Sequence, residues 1–398
     1  MGKRQTHELR NRALFTAFVV AVYLLGRNVP LYGVVTDAST GAAGGQYFLA
    51  LLVSGDRYRS TMMALGIAPY INASLLVQVI FAFRSSASRA KVSKVRSDRW
   101  MFRVAVAFGV LMAVMQSYSL TLSAEAGPAW AVRLAVVAEM LAGALLTTWL
   151  CMLNEKRGIG ASMPIVLVNI IGPLVRGLGD DHFLDFPDIM LVCLVAIVGT
   201  AFMENSLIRL PLQRVSIHNV HADQNYLAYK RSPMGIMPVM FASSAFLLPY
   251  FLVNMLANLN PQDAALAAAR DDLVLTRPLG ASVYLALIVL LSLLFSFLML
   301  NPRETAHQLQ RNGDSIVGMY AGRQTARYLT GLVLRWSLVS GLLQAAVMAV
   351  SLALSLGGAI PASLSTTPAS MMILASIACS LVQEVGSYHR YDAYRFFM

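Results

Sequence analysis

Apolar residues along this chain come in long blocks, not in the alternations or one-sided stripes of a soluble fold. Ten blocks approach the ~20 residues that a membrane-spanning helix needs. They cover 13–34, 62–83, 101–123, 130–153, 162–178, 187–208, 235–257, 279–300, 336–357 and 368–386. Each is expected to be a helix, because an open strand in lipid leaves backbone N–H and C=O groups unpaired. A further stretch, 46–60, is apolar but interrupted by Gly55 and Asp56, and reads as a partial, re-entrant helix. Three polar connections are long: Arg84 to Arg103, Arg209 to Pro233 and Asn301 to Arg335.

Composition agrees. Of 398 residues, 57% are hydrophobic and only 13% charged, with a mean hydropathy of +0.62. Soluble domains carry about 25% charged residues, and disorder needs low hydrophobicity, so both classes are excluded. One polytopic membrane domain remains. The 31 Lys and Arg against 20 Asp and Glu give a net charge of +11. With a cytoplasmic N-terminus, only Arg27, Arg57, Arg59, Arg133, Arg176, Arg270 and Arg277 fall on the outer side. That asymmetry places both termini in the cytoplasm and accounts for the basic surplus without nucleic acid. Lys3, Arg4, Arg10 and Arg12 precede the first apolar run, and no small-x-small cleavage site follows. This is expected to be a signal-anchor that stays as the first span. Gly2 to Thr6 fits a myristoylation pattern, but a multi-span chain needs no lipid anchor.

Little in the sequence points to catalysis. The cysteines, Cys151, Cys193 and Cys379, sit inside apolar runs and read as inert buried thiols. His218 and His221 form the one close histidine pair, without neighbouring Cys or clustered carboxylates. There is no H-E-x-x-H, G-x-S-x-G or Walker A motif. No metal, cofactor or catalytic residue is expected, and any work must draw on energy supplied by a partner. Glu139, within AVVAEMLAGAL, is the one mid-span acid. It suits either an ion site or a carboxylate facing a wet cavity. Polar uncharged residues recur on three spans: Asn72, Ser74 and Gln78; Gln116 and Ser117; Ser243 and Ser244. Between helices such groups are worth roughly 0.6–2 kcal/mol each, weak enough for a reversible seam and equally suited to plain helix glue.

Four motifs carry a family resemblance. LGIAPYINASLLVQ (Leu65 to Gln78) resembles the second span of the SecY protein-translocation channel, and MGIMPVMFASS (Met234 to Ser244) its seventh. WLCMLNEKRGIG (Trp149 to Gly160) is similar to its junction of spans four and five. NPRETAHQLQRNGDSIVGMYAGRQTARYL (Asn301 to Leu329) resembles its loop between spans eight and nine. The order and topology match over essentially the whole chain. RLPLQRVSIHNVHADQNYLAYKRSPMGIMPVMFA, with a short loop and a brief tail, is most similar to the accessory Sec channel subunits of Gram-positive bacteria.

The resemblance implies an all-α membrane fold of ten transmembrane helices, as two inverted five-helix halves, 1–180 and 181–398. It implies a pore ring at Ile67, Ile71, Met163, Leu167, Met240 and Ile373. An apolar constriction blocks ions by dewetting, and methionines would soften it around a moving peptide. It implies a plug at about 46–60, including Phe48, Leu51, Leu52 and Val53, and a lateral gate at Gln78, Gln116, Ser243 and Ser244. Docking of a motor falls to the cytoplasmic loops at about 209–234 and 301–335, through Arg214, Lys230, Arg231, Arg311, Tyr320 and Arg323. The implied partners are a SecA-type ATPase (an accessory SecA), a small SecE-like subunit, accessory Sec proteins, the exported polypeptide and the bilayer. The implied location is the bacterial cytoplasmic membrane. The implied function is polypeptide export, with serine-rich glycoprotein adhesins as cargo. The alternatives are a housekeeping SecY and, in another class, an inverted-repeat secondary transporter, which should show paired midplane charges.

The chain departs from the family at two turns. The loop between spans eight and nine usually holds G-x-R-P-G, but here Gly318-Met319-Tyr320-Ala321-Gly322 puts Tyr320 in the Arg place, with Arg323 three residues on. Gly160-Ala161-Ser162 stands where Gly-Asn-Gly is usual.

Overall fold

The computed structural model describes residues 8–34, 60–83, 94–117, 120, 122, 127–180, 183–214, 226–243, 245–246, 253, 256, 268–269, 272–273, 275, 277–320, 322–361 and 364–394. In chain order the elements are α1 (Glu8–Gly26), α2 (Ala68–Phe83), α3 (Lys94–Ser117), α4 (Ala129–Arg157), α5 (Met163–Asp180) and α6 (Pro187–Asn205). A hairpin follows, β1 (Leu207–Arg214) and β2 (Tyr226–Lys230), and then α7, helical over 237–243. The chain continues with α8 (Pro278–Leu300), α9 (Pro302–Asn312), β3 (Asp314–Ile316), α10 (Arg323–Leu356) and α11 (Thr367–Tyr394).

Every expected span contains helix, though the edges move. α1 ends at Gly26, and the chain then turns so that Pro30 bridges to Thr61. α3 begins at Lys94, inside the expected loop, and α10 at Arg323, also inside one. Six described helices are long and apolar enough to cross a bilayer: α1, α4, α6, α8, α10 and α11. The others are short or charged. α2 has 16 residues, the apolar part of α5 is Met163–Gly172, and α3 gives its first turns to Lys94, Arg96, Arg99 and Arg103. Short helices are tolerated at membrane depth where protein or a water-lined cavity surrounds them. Leu191, Leu194, Val198 and Phe202 form an exposed stripe on α6, at steps of three and four. A soluble helix turns such a stripe inward; here it faces hydrocarbon.

Packing is densest within two sets of helices. α3 lies against α2 and α4, and α1 against α4 and α5. On the other side, α8 packs on α10, and α6 on α11 and α10. α11 reaches across to α5 and α1, and α2 touches α8. Small residues permit the closest approaches. A Cβ on Gly341 of α10 would lie 2.8 Å from Ser292 Cβ of α8, and one on Gly143 of α4 would overlap the Met62 carbonyl.

The two loops expected as docking surfaces are folded together. Their strands form an antiparallel sheet of order β2-β1-β3, pairing Leu210 with Leu227 and Leu212 with Ile316. Along β1 the side chains alternate: Ile208, Leu210 and Leu212 turn inward, while Arg209, Pro211 and Gln213 are exposed. Tyr229, Ala306, Leu309, Ile316, Leu329 and Val333 complete this small core. Burial pushes the Tyr229 phenol above its usual range, partly offset by a hydrogen bond with Thr305. The sheet stands on the head of α10 and leads directly into α7.

Candidate functional site

The largest apolar cluster among the described residues draws on nearly every spanning helix, and all six expected ring residues belong to it or pack against it. Ile67 and Ile373 are buried, at 3% and 1% exposure, and Ile71, Met163, Leu167 and Met240 pack half-buried against the same cluster. A cavity of about 290 Å³ opens above this cluster. Ile71, Met163 and Met240 face it, with Tyr70, Val166, Ile236, Phe241 and Ile377. Polar side chains line it too: Lys230 at the end of β2 and Ser232 just after it, Glu204 from the end of α6, and Ser376 and Ser380 from α11. The cavity is thus bordered both by polar side chains near the sheet and by aliphatic and methionine side chains of the apolar cluster.

Three of the four helices that carry expected ring residues start just beyond a left-handed glycine. Gly66 (φ 51°) precedes α2, Gly160 (φ 75°) precedes α5 and Gly235 (φ 58°) precedes α7. The turns are pinned from several sides. Asn154 donates to the Ile159 and Ala161 carbonyls at 3.1 and 2.6 Å, and Thr16 accepts from the Ile159 N–H at 2.9 Å. Glu384 of α11 accepts the Gly160 N–H at 3.0 Å. Ala161 itself takes φ 45°, a conformation that costs an L-residue about 1–2 kcal/mol and suits the family's Asn or Gly better. The turn keeps its shape because α1, α4 and α11 hold it.

A buried carboxylate organises the turn before α7. Glu204, 4% exposed, accepts from Ser376 Oγ at 2.7 Å and from Lys230 Nζ at 3.3 Å. A Cβ on Gly235 would overlap its Oε1. Gln344 Nε2 of α10 donates to the Gly235 carbonyl at 2.6 Å, and Ser232 Oγ meets Ser340 Oγ of α10 at 2.8 Å. Sequence reading passed over Glu204, Gln344 and Gly235. Their one signal was an acid and a glutamine at the edge of or within apolar runs, where a polar group needs a partner.

Other expected residues sort by place. Phe48, Leu51, Leu52, Val53 and Ser244 lie outside the described residues, as do the side chains of Gln78 and Arg214. Ser243 donates to the Val239 carbonyl at 2.9 Å and meets Tyr284 Oη of α8 at 3.2 Å. Gln116 is half-buried on α3. Asn72 points to Met112 Sδ at 3.9 Å, while Ser74 and Ser117 donate back to their own helices. Lys230 also reaches Gln383 Oε1 at 3.0 Å, and the Arg231 guanidinium lies over Trp336 at 5.0 Å. Both cations are engaged inside the fold. Arg311 lies in the last turn of α9, Tyr320 is 84% exposed and Arg323 opens α10, and all three are exposed. Glu139 accepts the Tyr32 backbone N–H at 3.0 Å, so it fastens the turn after α1.

A family model described as SecY matches residues 61–382. An accessory Sec system protein translocase subunit SecY2 of Leuconostoc gelidum is 24% identical over 407 residues, spanning 95% of this chain and 94% of that one. A protein translocase subunit SecY of Streptococcus gordonii is 26% identical over 366 residues, spanning 84% and 83%. A solved structure described as "The structure of a protein conducting channel" shares the fold at a TM-score of 0.64 and 13% identity, covering 95% of this chain and 92% of that one.

Proposed function

This chain belongs to the SecY family of protein-translocation channels, and from that premise we propose how it conducts polypeptide and which machine it serves. It is a multi-pass membrane channel of SecY-like fold, and translocation, not catalysis, is its activity. The observation that carries the reading is one cavity bordered by Ile71, Met163 and Met240 from three helices, set in the apolar core that also holds Ile67, Leu167 and Ile373. Such a constriction excludes ions by dewetting and needs no charged gate. Thioether and isoleucine side chains reshape around a passing chain, so the ring seals while open. The halves 1–180 and 181–398 part along the α2–α8 contact to admit a segment sideways, with α5 and α11 as the joined edge.

The push comes from a cytoplasmic SecA-type ATPase seated on the sheet layer through Arg311, Tyr320 and Arg323, and a small SecE-like subunit braces the halves. Both termini are cytoplasmic. The accessory reading, with serine-rich adhesins as cargo, is supported by relatives named SecY2 and by Tyr320 in place of the family Arg, a change suited to a different motor. The housekeeping reading is favoured by equally similar relatives named SecY.

One experiment separates them. A photo-reactive residue at Met240, in native membranes with stalled export, should capture polypeptide. A serine-rich adhesin alone supports the accessory role, and many preproteins support the housekeeping one. Capture of none, at Met240 and at the other ring positions, would sink the channel assignment.

A further inference from the structure

The three-stranded sheet has one long open edge. The Arg231 N–H donates to the Ser206 carbonyl at 3.0 Å, just beyond the paired ends of β1 and β2. In an antiparallel ladder, directly opposed pairs alternate between bonded and non-bonded. With Ser206 and Arg231 as a bonded pair, the next are Ile208 with Tyr229 and Leu210 with Leu227. The backbone N–H and C=O groups of Tyr226, Ala228 and Lys230 therefore point away from β1. Among the described residues no strand pairs with that side, because the sheet ends there in the order β2-β1-β3. Over its five residues the edge is about 17 Å long.

Exposed edges recruit other strands, and proteins usually blunt them with lysine, proline or a bulge. Tyr226 to Tyr229 carries no lysine or proline, its register with β1 is regular, and Tyr226 and Ala228 are exposed. Lys230, the one charge, is occupied elsewhere: its Nζ donates to Glu204 at 3.3 Å and to Gln383 at 3.0 Å. The opposite edge, β3, offers only three residues and lies against α9. Lys230 also lines the 290 Å³ cavity, as do Ser232, Pro233 and Met234 beyond it. The open edge thus runs from the hairpin to the wall of that cavity.

We propose that β2 pairs with an extended segment of the exported polypeptide, adding it to the sheet as a fourth strand that leads to the cavity. Backbone N–H and C=O groups are carried by every unfolded chain, whatever its side chains. Strand addition draws its affinity from those groups, so it holds cargo without a side-chain code. Each such bond is modest in water, so the hold is one that a moving chain can leave. The inference rests on polypeptide being the cargo. A strand from a motor protein would satisfy the same groups, but it gives no reason for the edge to end on the cavity wall.

The test is a cysteine scan in native membranes, with a cargo stalled by a folded domain fused to its end. Single cysteines at consecutive cargo positions are tested for disulfide formation with Tyr226→Cys in the full-length channel. The channel with only Cys151, Cys193 and Cys379 sets the background. Cross-linking should rise and fall with a period of two, because alternate residues of a paired strand share a face. Ala228→Pro removes an outward N–H and no bond to β1, so it should lower cross-linking roughly fivefold. Ala228→Val keeps that N–H and should leave it unchanged. The thermal unfolding midpoint checks that the sheet survives, and if the proline variant is unstable the alternation alone decides. Photo-capture at Met240 is read in parallel. Cargo captured there without alternation at Tyr226→Cys, or with a stable Ala228→Pro that changes nothing, overturns strand pairing and leaves the channel standing. Cross-linking of the motor ATPase in place of cargo also overturns it, and makes the edge a motor contact. No cargo at either position overturns both readings.

Discussion

Around the Glu204 carboxylate, α6, α11, β2 and the turn before α7 are joined through single atoms. Gly235→Ala adds a methyl group where that carboxylate lies, on a backbone with positive φ, and should cost about 1–3 kcal/mol. The thermal unfolding midpoint in detergent should fall accordingly, and an unchanged midpoint would show that the turn is not held this way. Ala161→Gly works in the opposite sense. It relieves a left-handed alanine and should gain about 0.5–1 kcal/mol, read as a higher midpoint. At the ring, Ile67→Asp places a charge among buried aliphatics and should wet the closed channel. Planar-bilayer conductance should show an ion leak, and a tight variant would remove Ile67 from the ring. Of the expected ring residues, Ile67, Ile71 and Met240 stand in the motifs that carry the resemblance, whereas Met163, Leu167 and Ile373 lie outside them. The Glu204–Gly235 contact was not legible in the sequence, because only the folded chain brings a helix end against a turn across the hairpin. Lys230 and Arg231 carried a charge signal that says nothing of partners, and both turn out to be engaged within the fold.

Among elements, every segment that hydropathy marked contains described helix, six of them long and apolar enough to cross a bilayer. Hydropathy could not place helix ends that lie in water. α10 runs on past its apolar part because Arg323 to Arg335 contains no proline and is mostly good helix formers. The sheet lies within connections that hydropathy marks only as long and polar. Its signal was present in LIRLPLQR, whose alternation of inward and outward residues has the period of a strand. Close helix contacts also rest on small residues that hydropathy ignores. Gly341→Leu should force α10 from α8 and cost about 1–3 kcal/mol through overpacking. Limited proteolysis in detergent should then cut faster than in wild type, whereas Ala at 341 should be milder.

For the whole molecule, the sheet layer sets what the membrane part can sense. Arg311, Tyr320 and Arg323 beside it are exposed, and its strand β2 leads into the turn that launches α7. If a motor docks there, Arg323→Glu should weaken its affinity at least severalfold, with the loss growing as ionic strength falls. Surface plasmon resonance on reconstituted channel checks this, and unchanged affinity would put the contact elsewhere. The inverted halves and the docking loops came from motif resemblance, not from physics that the sequence alone displays. The path between loop and ring is visible only in the structure. Helix α10 is unbroken from Arg323 to Leu356, and along it Ser340 and Gln344 grip the turn below Met240. In mechanical terms it is a strut. A load applied at its outer end has no joint to absorb it, and arrives as displacement at the turn from which α7 springs.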